Sequence, residues 1–462
     1  MIAILHRRTR AQPPDGFDRR LLLPMISSSI LNPINSSILA VSLVPIGVAF
    51  GAPAAQTAWL VSALYLATAI GQPVVGRLID LYGPRRLYLT GAALTGFAGL
   101  LGMLAPSLWV LVLARVILGF GTCAGYPASM YLIRSESRRT GKDSPAGVLA
   151  VLAVATQTIA VIGPTLGGLL IHLGGWRTTF AVNLPLALFC LAIGWRRIAK
   201  TAVPQRDTAA TEPRWWTDID LPGIAWFTLT LISILFFLMK PQAAHWYLPA
   251  LAIAAAIALV WRETRVERPF LDVRLLAGNL PLLATYARTL LTSLVGYCFL
   301  YGFTQWLEEG RGLTAAGAGL ILLPMSLTAI GISAITGRRS AIRGKLLVGG
   351  TCQVLMTVLL LTLHAGVALW LLVTAAILNG IPQGLNNLAN QNALYHQAEP
   401  ERIGSSAGLL RTFAYFGAIG SAAVSGAFLT PGSGAAGLHH LAAFMLVAAA
   451  LCLCLSAFDR SL

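Results

Sequence analysis

From Leu21 almost to the end of the chain, apolar residues run in blocks of about twenty, separated by short polar and basic segments. As a helix rising 1.5 Å per residue, a block of that length crosses a hydrocarbon core of about 30 Å. The blocks are apolar on all sides. A barrel strand would be about ten residues long with alternating polarity, so helices are expected. The pattern predicts fourteen spans, at 21–47, 57–79, 87–105, 108–133, 146–172, 178–195, 221–239, 246–261, 280–307, 314–336, 346–364, 367–394, 404–429 and 438–457. An even number places both chain ends on one side.

Composition agrees with a chain that is membrane-embedded throughout. Of 462 residues, 56% are hydrophobic and 11% charged, with a mean hydropathy of +0.73. That is too little charge to cover a water-soluble protein of this size. The net charge of +16 sits between the apolar blocks and not on one face, so it speaks of topology and not of nucleic acid. With the N-terminus cytoplasmic, 27 of the 33 Lys and Arg fall on the inner side. Only Arg177, Lys240 and Arg311 fall outside, and Arg115, Arg288 and Arg411 lie within spans. The positive-inside rule therefore expects a multi-pass cell inner-membrane protein with N- and C-termini cytoplasmic. The first twenty residues are polar and basic, and no small-residue cleavage site follows, so no removable leader is expected. All six cysteines lie in apolar blocks without metal-ligand spacing. No metal, cofactor or nucleotide-binding motif is expected.

Polar stretches divide the chain. Residues 1–20 read as a cytoplasmic tail, 21–199 as a first six-helix bundle, and 200–220, with Pro204 and Pro213, as a cytoplasmic linker. Residues 221–278 read as two inserted transmembrane helices and a loop, and 279–462 as a second six-helix bundle. An internal repeat supports the division. Gly76 and Gly83 are seven apart in the basic loop after span two, and Gly337 and Gly344 are seven apart after span ten, with Ala341 where Asp80 stands in the first copy.

The loop Gly76-Arg77-Leu78-Ile79-Asp80-Leu81-Tyr82-Gly83-Pro84-Arg85-Arg86 resembles the signature loop of the major facilitator superfamily. Leu113-Ala114-Arg115-Val116-Ile117-Leu118-Gly119 resembles the family's arginine motif in span four, and Gly163-Pro164-Thr165-Leu166-Gly167-Gly168 the core of the antiporter motif in span five. Ile159 stands where that motif has a further glycine. Gly174-Gly175-Trp176-Arg177, Leu322-Leu323-Pro324-Met325 and Gly408-Leu409-Leu410-Arg411 are similar to the fourteen-span drug:proton antiporter branch. The resemblance covers the chain from about residue 21. It implies an all-α membrane protein of the major facilitator fold, two six-helix bundles plus two extra helices, working by alternating access as a monomer. It implies an exporter of amphipathic small molecules with proton influx as the driving reaction.

The resemblance also implies roles for residues. Gly76, Asp80, Gly83, Arg85, Arg86 and Arg134 would gate the conformational change, with Asp80 resting near Gly404, Ser405 and Ser406 and with Arg134 as its cationic partner. An anion at its own helix's C-terminal end needs such a partner, and a helix N-terminus offers free N–H groups. Arg115, Asp80 and Glu308 are the candidates for proton coupling or transport. One departure matters: Asn35 stands near the place where many proton-coupled members carry an acid in span one, and none of the 17 Asp and Glu falls in mid-membrane. A solute path near the midplane between the halves would be lined by Asn32, Asn35, Tyr126 and Gln157 from the first half. From the second would come Tyr297, Tyr301, Gln305, Asn386, Asn390 and Arg411. Amides, aromatics and arginines suit a large amphipathic solute that is neutral or anionic. An importer on the same fold is the alternative. A lipid-processing membrane enzyme is more remote, because no acidic or histidine cluster accompanies a phosphate or metal site. A receptor fits poorly with the repeat and the midplane polar residues.

Overall fold

The structure, a computed structural model, describes residues 17–57, 59–141, 146–199, 220–239, 242–266, 269–271, 273–313, 315–337, 339, 341–429, 434–459 and 461. The predicted N-terminal tail up to 16 and the linker over 200–219 lie outside the described residues. Among the described residues every regular element is helical.

The first group comprises α1 (Leu22–Ser29), α2 (Leu31–Phe50), α3 (Trp59–Tyr82), α4 (Pro84–Met103), α5 (Leu108–Thr122), α6 (Gly125–Thr140), α7 (Ala146–Gly174) and α8 (Asn183–Arg197). A pair follows, α9 (Leu221–Met239) and α10 (Tyr247–Glu263). The second group comprises α11 (Leu280–Tyr297), α12 (Ala315–Thr336), α13 (Ile342–Leu360), α14 (Leu369–Gln397), α15 (Ile403–Phe428) and α16 (Gly434–Phe458). Ten helices among the described residues are long and apolar enough to cross a bilayer, or eleven if the segments Arg19–Leu39 and Val41–Phe50, bent by 57°, form one span. That is fewer than the fourteen read from the sequence, for physical reasons. Helix α10 has only 17 residues. Helix α4 begins with Arg85 and Arg86, and α14 carries a run of buried amides including Asn379, Asn386 and Asn390.

The two groups repeat one packing plan. In the first, α2 lies on α7, α3 on α5, and α4 on both α5 and α8. In the second, α11 lies on α15, α12 on α14, and α13 on both α14 and α16. Helices α9 and α10 pack on each other, and α9 also touches α3 and α15, one helix from each group.

Close approach of α2 and α7 explains the glycines of the antiporter-like motif. A Cβ on Gly163 would fall 1.8 Å from Ser37 Oγ, and one on Gly167 would meet Val41 at 2.7 Å. Pro164 lies inside the same helix, and nothing stands within 4 Å of the Gly168 position. At the other end of α3, Gly83 takes φ 84°, which an L side chain rarely adopts. Pro84 then opens α4 at a position where its missing N–H costs nothing. Inside the first group, Asn35 and Asn183 exchange amide hydrogen bonds of 2.7 and 2.9 Å, tying α2 to α8.

Overpacking a seam of this kind costs about 1–3 kcal/mol. Gly163→Leu is therefore expected to lower the thermal unfolding midpoint in detergent, while Gly168→Leu leaves it unchanged. Equal effects of the two substitutions would remove the α2–α7 seam as the explanation of the motif.

Candidate functional site

The two groups meet along an antiparallel seam between α3 and α15. Reading α3 backward from its C-terminal end and α15 forward, contacts recur at every helical turn. Asp80 Oδ1 accepts from the Gly404 backbone N–H at 2.8 Å, and Asp80 Oδ2 from that of Ser405 at 2.8 Å. A Cβ on Gly76 would fall 2.3 Å from Gly404 O, and one on Gly408 would fall 2.2 Å from Gln72 O. Thr412 Oγ1 donates to Ala69 O at 2.9 Å. Next come Tyr65 and Tyr415, their rings 5.8 Å apart, and Tyr415 donates to Asn32 Oδ1 at 3.2 Å. Small residues at four-residue spacing let the two backbones touch, as at close helix pairs in membranes.

The seam is reinforced at its Asp80 end. Arg138 pairs with Glu401 at 2.7 Å, and the Arg134 guanidinium lies 5.1 Å from the Tyr395 ring centre. Gly337, just after α12, packs on Ala150 of α7, whose Cβ an added side chain would strike. Arg411 of α15 lies 4.2 Å over the Tyr126 ring of α6.

Beyond Tyr65 the seam widens into a cavity of about 340 Å³. Trp59, Ser62 and Tyr65 of α3, Leu235 and Phe236 of α9, Tyr301, and Ala418 and Ala422 of α15 line it, and its described lining carries no charged side chain. Tyr297 and Tyr301 stack at 5.7 Å beside it. Pockets that take small molecules are mostly apolar and aromatic with a few polar groups, and this one has three hydroxyls.

Other predicted residues fall elsewhere. Asn35 is buried and committed to Asn183, so it faces the inside of the first group and not the path. Asn386 is buried against Gly349 and donates weakly to Thr292 Oγ1 at 3.5 Å, and Asn390 is likewise buried. Gln305 donates to Leu429 O at 3.3 Å. Gln157 is half-buried on α7, and Glu308 is exposed. Arg85 donates to Trp195 O of α8 at 3.0 Å, and Arg86 is exposed. The expected pairing of Arg134 with Asp80 gives way to the Tyr395 ring, and Arg77 is the cation whose charge acts on Asp80. Tyr65, Tyr415, Thr412 and the α9 residues were missed by sequence reasoning. The available signal was the four- and seven-residue spacing of Tyr65, Ala69, Gly76 and Asp80 along one helix face.

Arg115 is buried, at 2% exposure, and its partners are backbone carbonyls. Its Nε donates to Leu60 O at 3.2 Å, and Nη1 and Nη2 both donate to Asn35 O at 3.4 Å. One guanidinium thus braces α5 against α3 and α2. Arg288, wholly buried, pairs instead with a carboxylate, Asp459, at 2.6 Å and with Thr285 Oγ1 at 2.7 Å.

The family model described as Major Facilitator Superfamily matches residues 25–422. The chain belongs to the major facilitator superfamily. Among curated proteins it is similar to the uncharacterized MFS-type transporter YwoD of Bacillus subtilis, at 31% identity over 92% of this chain and 94% of that one. It is also similar to the lincomycin resistance protein of Streptomyces lincolnensis, at 30% identity over 70% of this chain and 66% of that one. The multidrug resistance protein Stp of Mycobacterium tuberculosis matches at 29% identity over 66% of this chain and 56% of that one. Among solved structures, the human organic anion transporter MFSD10 shares the fold. Its TM-score is 0.66 at 15% identity, covering 96% of this chain and all of that one. This major facilitator protein is a multi-span transporter and not an enzyme.

The geometry leads to two predictions. Asp80→Asn replaces one acceptor oxygen by a donor facing a backbone N–H. Loss of a charged hydrogen bond of about 1.5–3 kcal/mol should reduce transport about tenfold or more at normal membrane levels. Transport within twofold of the wild type would remove Asp80 from the gate. Arg115→Lys leaves one ammonium to span Leu60 O and Asn35 O, so it should lower the unfolding midpoint. A midpoint equal to the wild type, with transport lost, would assign Arg115 to the solute or the proton instead.

Proposed function

We propose that this superfamily member is a secondary active exporter of amphipathic, largely neutral small molecules, driven by proton influx. In this reading fourteen helices span the cell inner membrane with both termini cytoplasmic, the protein acts as a monomer, and α9 and α10 stand outside two six-helix bundles. Residues 21–199 and 279–462 are the two moving bodies, and 221–278 is the extra pair with its loop.

One observation carries the reading: the α3–α15 seam is sealed by Asp80 at one end and holds an uncharged aromatic cavity at the other. A seal at one end and a solute-sized space at the other is what alternating access requires of a single state. In the opposite state the Asp80 contacts with Gly404 and Ser405 part, and the cavity closes as the seam pivots. Gly76, Gly83 and Arg134 belong to the same gating region. Asn32, Tyr126, Tyr297, Tyr301 and Arg411 border the path, and Gln157, Gln305, Asn386 and Asn390 support it from behind. The lincomycin and multidrug resistance proteins among the relatives support export of small molecules. For the proton, Asp80 and Arg115 are the proposed participants, with Glu308 as an outer acceptor.

The test is transport by purified protein in proteoliposomes, using a neutral lipophilic fluorescent dye with and without an imposed pH gradient. Dye movement is expected to follow the gradient and to stop when it is collapsed. Ala422→Trp, which fills the cavity, should lower the rate about tenfold, a change of about 1.4 kcal/mol in the barrier. Movement no faster than in protein-free liposomes would overturn export of this solute class. A rate indifferent to the gradient would overturn proton coupling alone.

A further inference from the structure

Two carboxylates meet where the extra helix pair begins and ends. Asp220 precedes α9 with φ 49°, a conformation uncommon outside glycine. Its Oδ1 accepts from Arg262 Nε at 2.9 Å, from Arg262 Nη2 at 2.7 Å, and from the Gly223 backbone N–H at 3.2 Å. Glu263, the last residue of α10, accepts through Oε2 from the Leu271 backbone N–H at 3.0 Å. Each carboxyl therefore has one satisfied oxygen. The other two, Asp220 Oδ2 and Glu263 Oε1, are buried and have no hydrogen-bond donor among the described residues. The residues are only 3% and 2% exposed. Both bare oxygens border one point: a Cβ added to Gly223 would fall 2.4 Å from Asp220 Oδ2 and 2.3 Å from Glu263 Oε1. Glycine at 223 is what leaves room for them to face each other.

Two ionised oxygens cannot stay buried side by side without a donor, whereas a single proton satisfies both. A divalent cation would need more oxygen ligands than these two. Arg262 already neutralises Asp220, so Asp220 is the ionised member and Glu263 the donor. We propose that Asp220 and Glu263 hold one exchangeable proton between Oδ2 and Oε1, and that this proton clasps the ends of α9 and α10 together.

The charged groups that act on Glu263 among the described residues are Asp220 and Arg262. Arg265 lies 4.3 Å over the Trp261 ring, and Arg274 donates to Thr264 O, so neither is spent on the pair. Glu263 lies beyond the predicted span 246–261. Burial first, and the Asp220 carboxylate next, push its carboxyl up to about 8. A raised value means that the closed clasp binds the proton more tightly than the open one. Its stabilisation is complete below the ordinary glutamate range and is lost as pH rises through about 8. Because α9 also packs on α3 and α15, loosening it reaches the seam.

The experiment is hydrogen exchange of the full chain in nanodiscs, at about pH 6 and about pH 9, corrected for the intrinsic pH dependence. In the wild type, exchange in the first turn of α9 and the last turn of α10 should rise about tenfold, one pH unit past the raised value being a factor of ten. Glu263→Gln keeps a neutral donor toward Asp220 Oδ2 and should show no rise. A wild type without the rise, or a Glu263→Gln protein that rises equally, overturns the proposal. Should Glu263→Gln fail to accumulate, the infrared carbonyl band of a protonated carboxyl is read at neutral pH in Asp80→Asn. Its presence there, and its loss at about pH 9, supports the clasp, and its absence overturns it. Neither readout needs transport, so failure here is distinct from failure of the export reading.

Discussion

Everything in the closed seam depends on a carboxylate placed where its own helix repels it. Asp80 lies in the last turn of α3, where the unpaired carbonyls make a negative end. The two backbone N–H groups at the start of α15 answer it from the other body at 2.8 Å each. Those N–H groups have no partner inside their own helix. Each group is thus unsatisfied alone and satisfied only while the bodies touch. Parting the seam exposes an anion at an unfavourable end and two free donors at once, which makes the contact an all-or-none one. The glycines follow from this need: Gly76, Gly404 and Gly408 remove the side chains that would hold the backbones too far apart for such short bonds.

Cations inside the molecule are handled in two different ways. Arg288 has a carboxylate, Asp459, drawn up from the end of α16. Arg115 has only carbonyl oxygens from Leu60 and Asn35. Those carbonyls offer partial negative charge from two other helices, which fixes where the Arg115 guanidinium lies. A charge in hydrocarbon costs at least about 2.5–3.5 kcal/mol on insertion scales, and three helices are tied together in return. The aromatic cavity stands apart from both arginines, and an apolar solute there meets rings and hydroxyls instead of ions.

Much of this was legible in the sequence because the bilayer enforces simple rules. Apolar blocks became helices, and the repeated glycine pair after spans two and ten anticipated a packing plan that recurs in both groups. Asp80 could be placed against Gly404 and Ser405 because an anion at a helix C-terminus has few possible partners. Side-chain direction was not legible. Asn35 and Asn386 are expected from the sequence to line the path, yet both turn inward: Asn35 exchanges amide bonds with Asn183, and Asn386 is buried against Gly349 and Thr292. Arg134 was read as the partner of Asp80, but the Tyr395 ring competes for it, and hydropathy carries no trace of a ring face. The span count fell short where polar residues serve packing: the amides of α14 lower its apolarity while being buried among its neighbours.

The extra helices take on a role that their bland sequence conceals. Apolar all round, α9 would be indifferent between lipid and protein unless shape fixed it. Its face bearing Phe227, Leu231 and Leu235 is buried, and Phe227 meets Phe270 at 5.5 Å in the loop after α10. The helix is therefore pinned at one end by that aromatic contact and the Asp220–Glu263–Arg262 cluster, while its other end walls the cavity through Leu235 and Phe236. A rod fixed at one end and resting on both α3 and α15 at the other cannot follow both bodies when they part. It must stay with one and slide on the other. Its polar contacts, Asp220 with Arg262 and with Gly223, lie within the extra pair, and the cavity wall of Leu235 and Phe236, held by dispersion, is the surface that yields. An apolar contact of that kind has no preferred register, so α9 can shift at the cavity wall without first breaking a hydrogen bond.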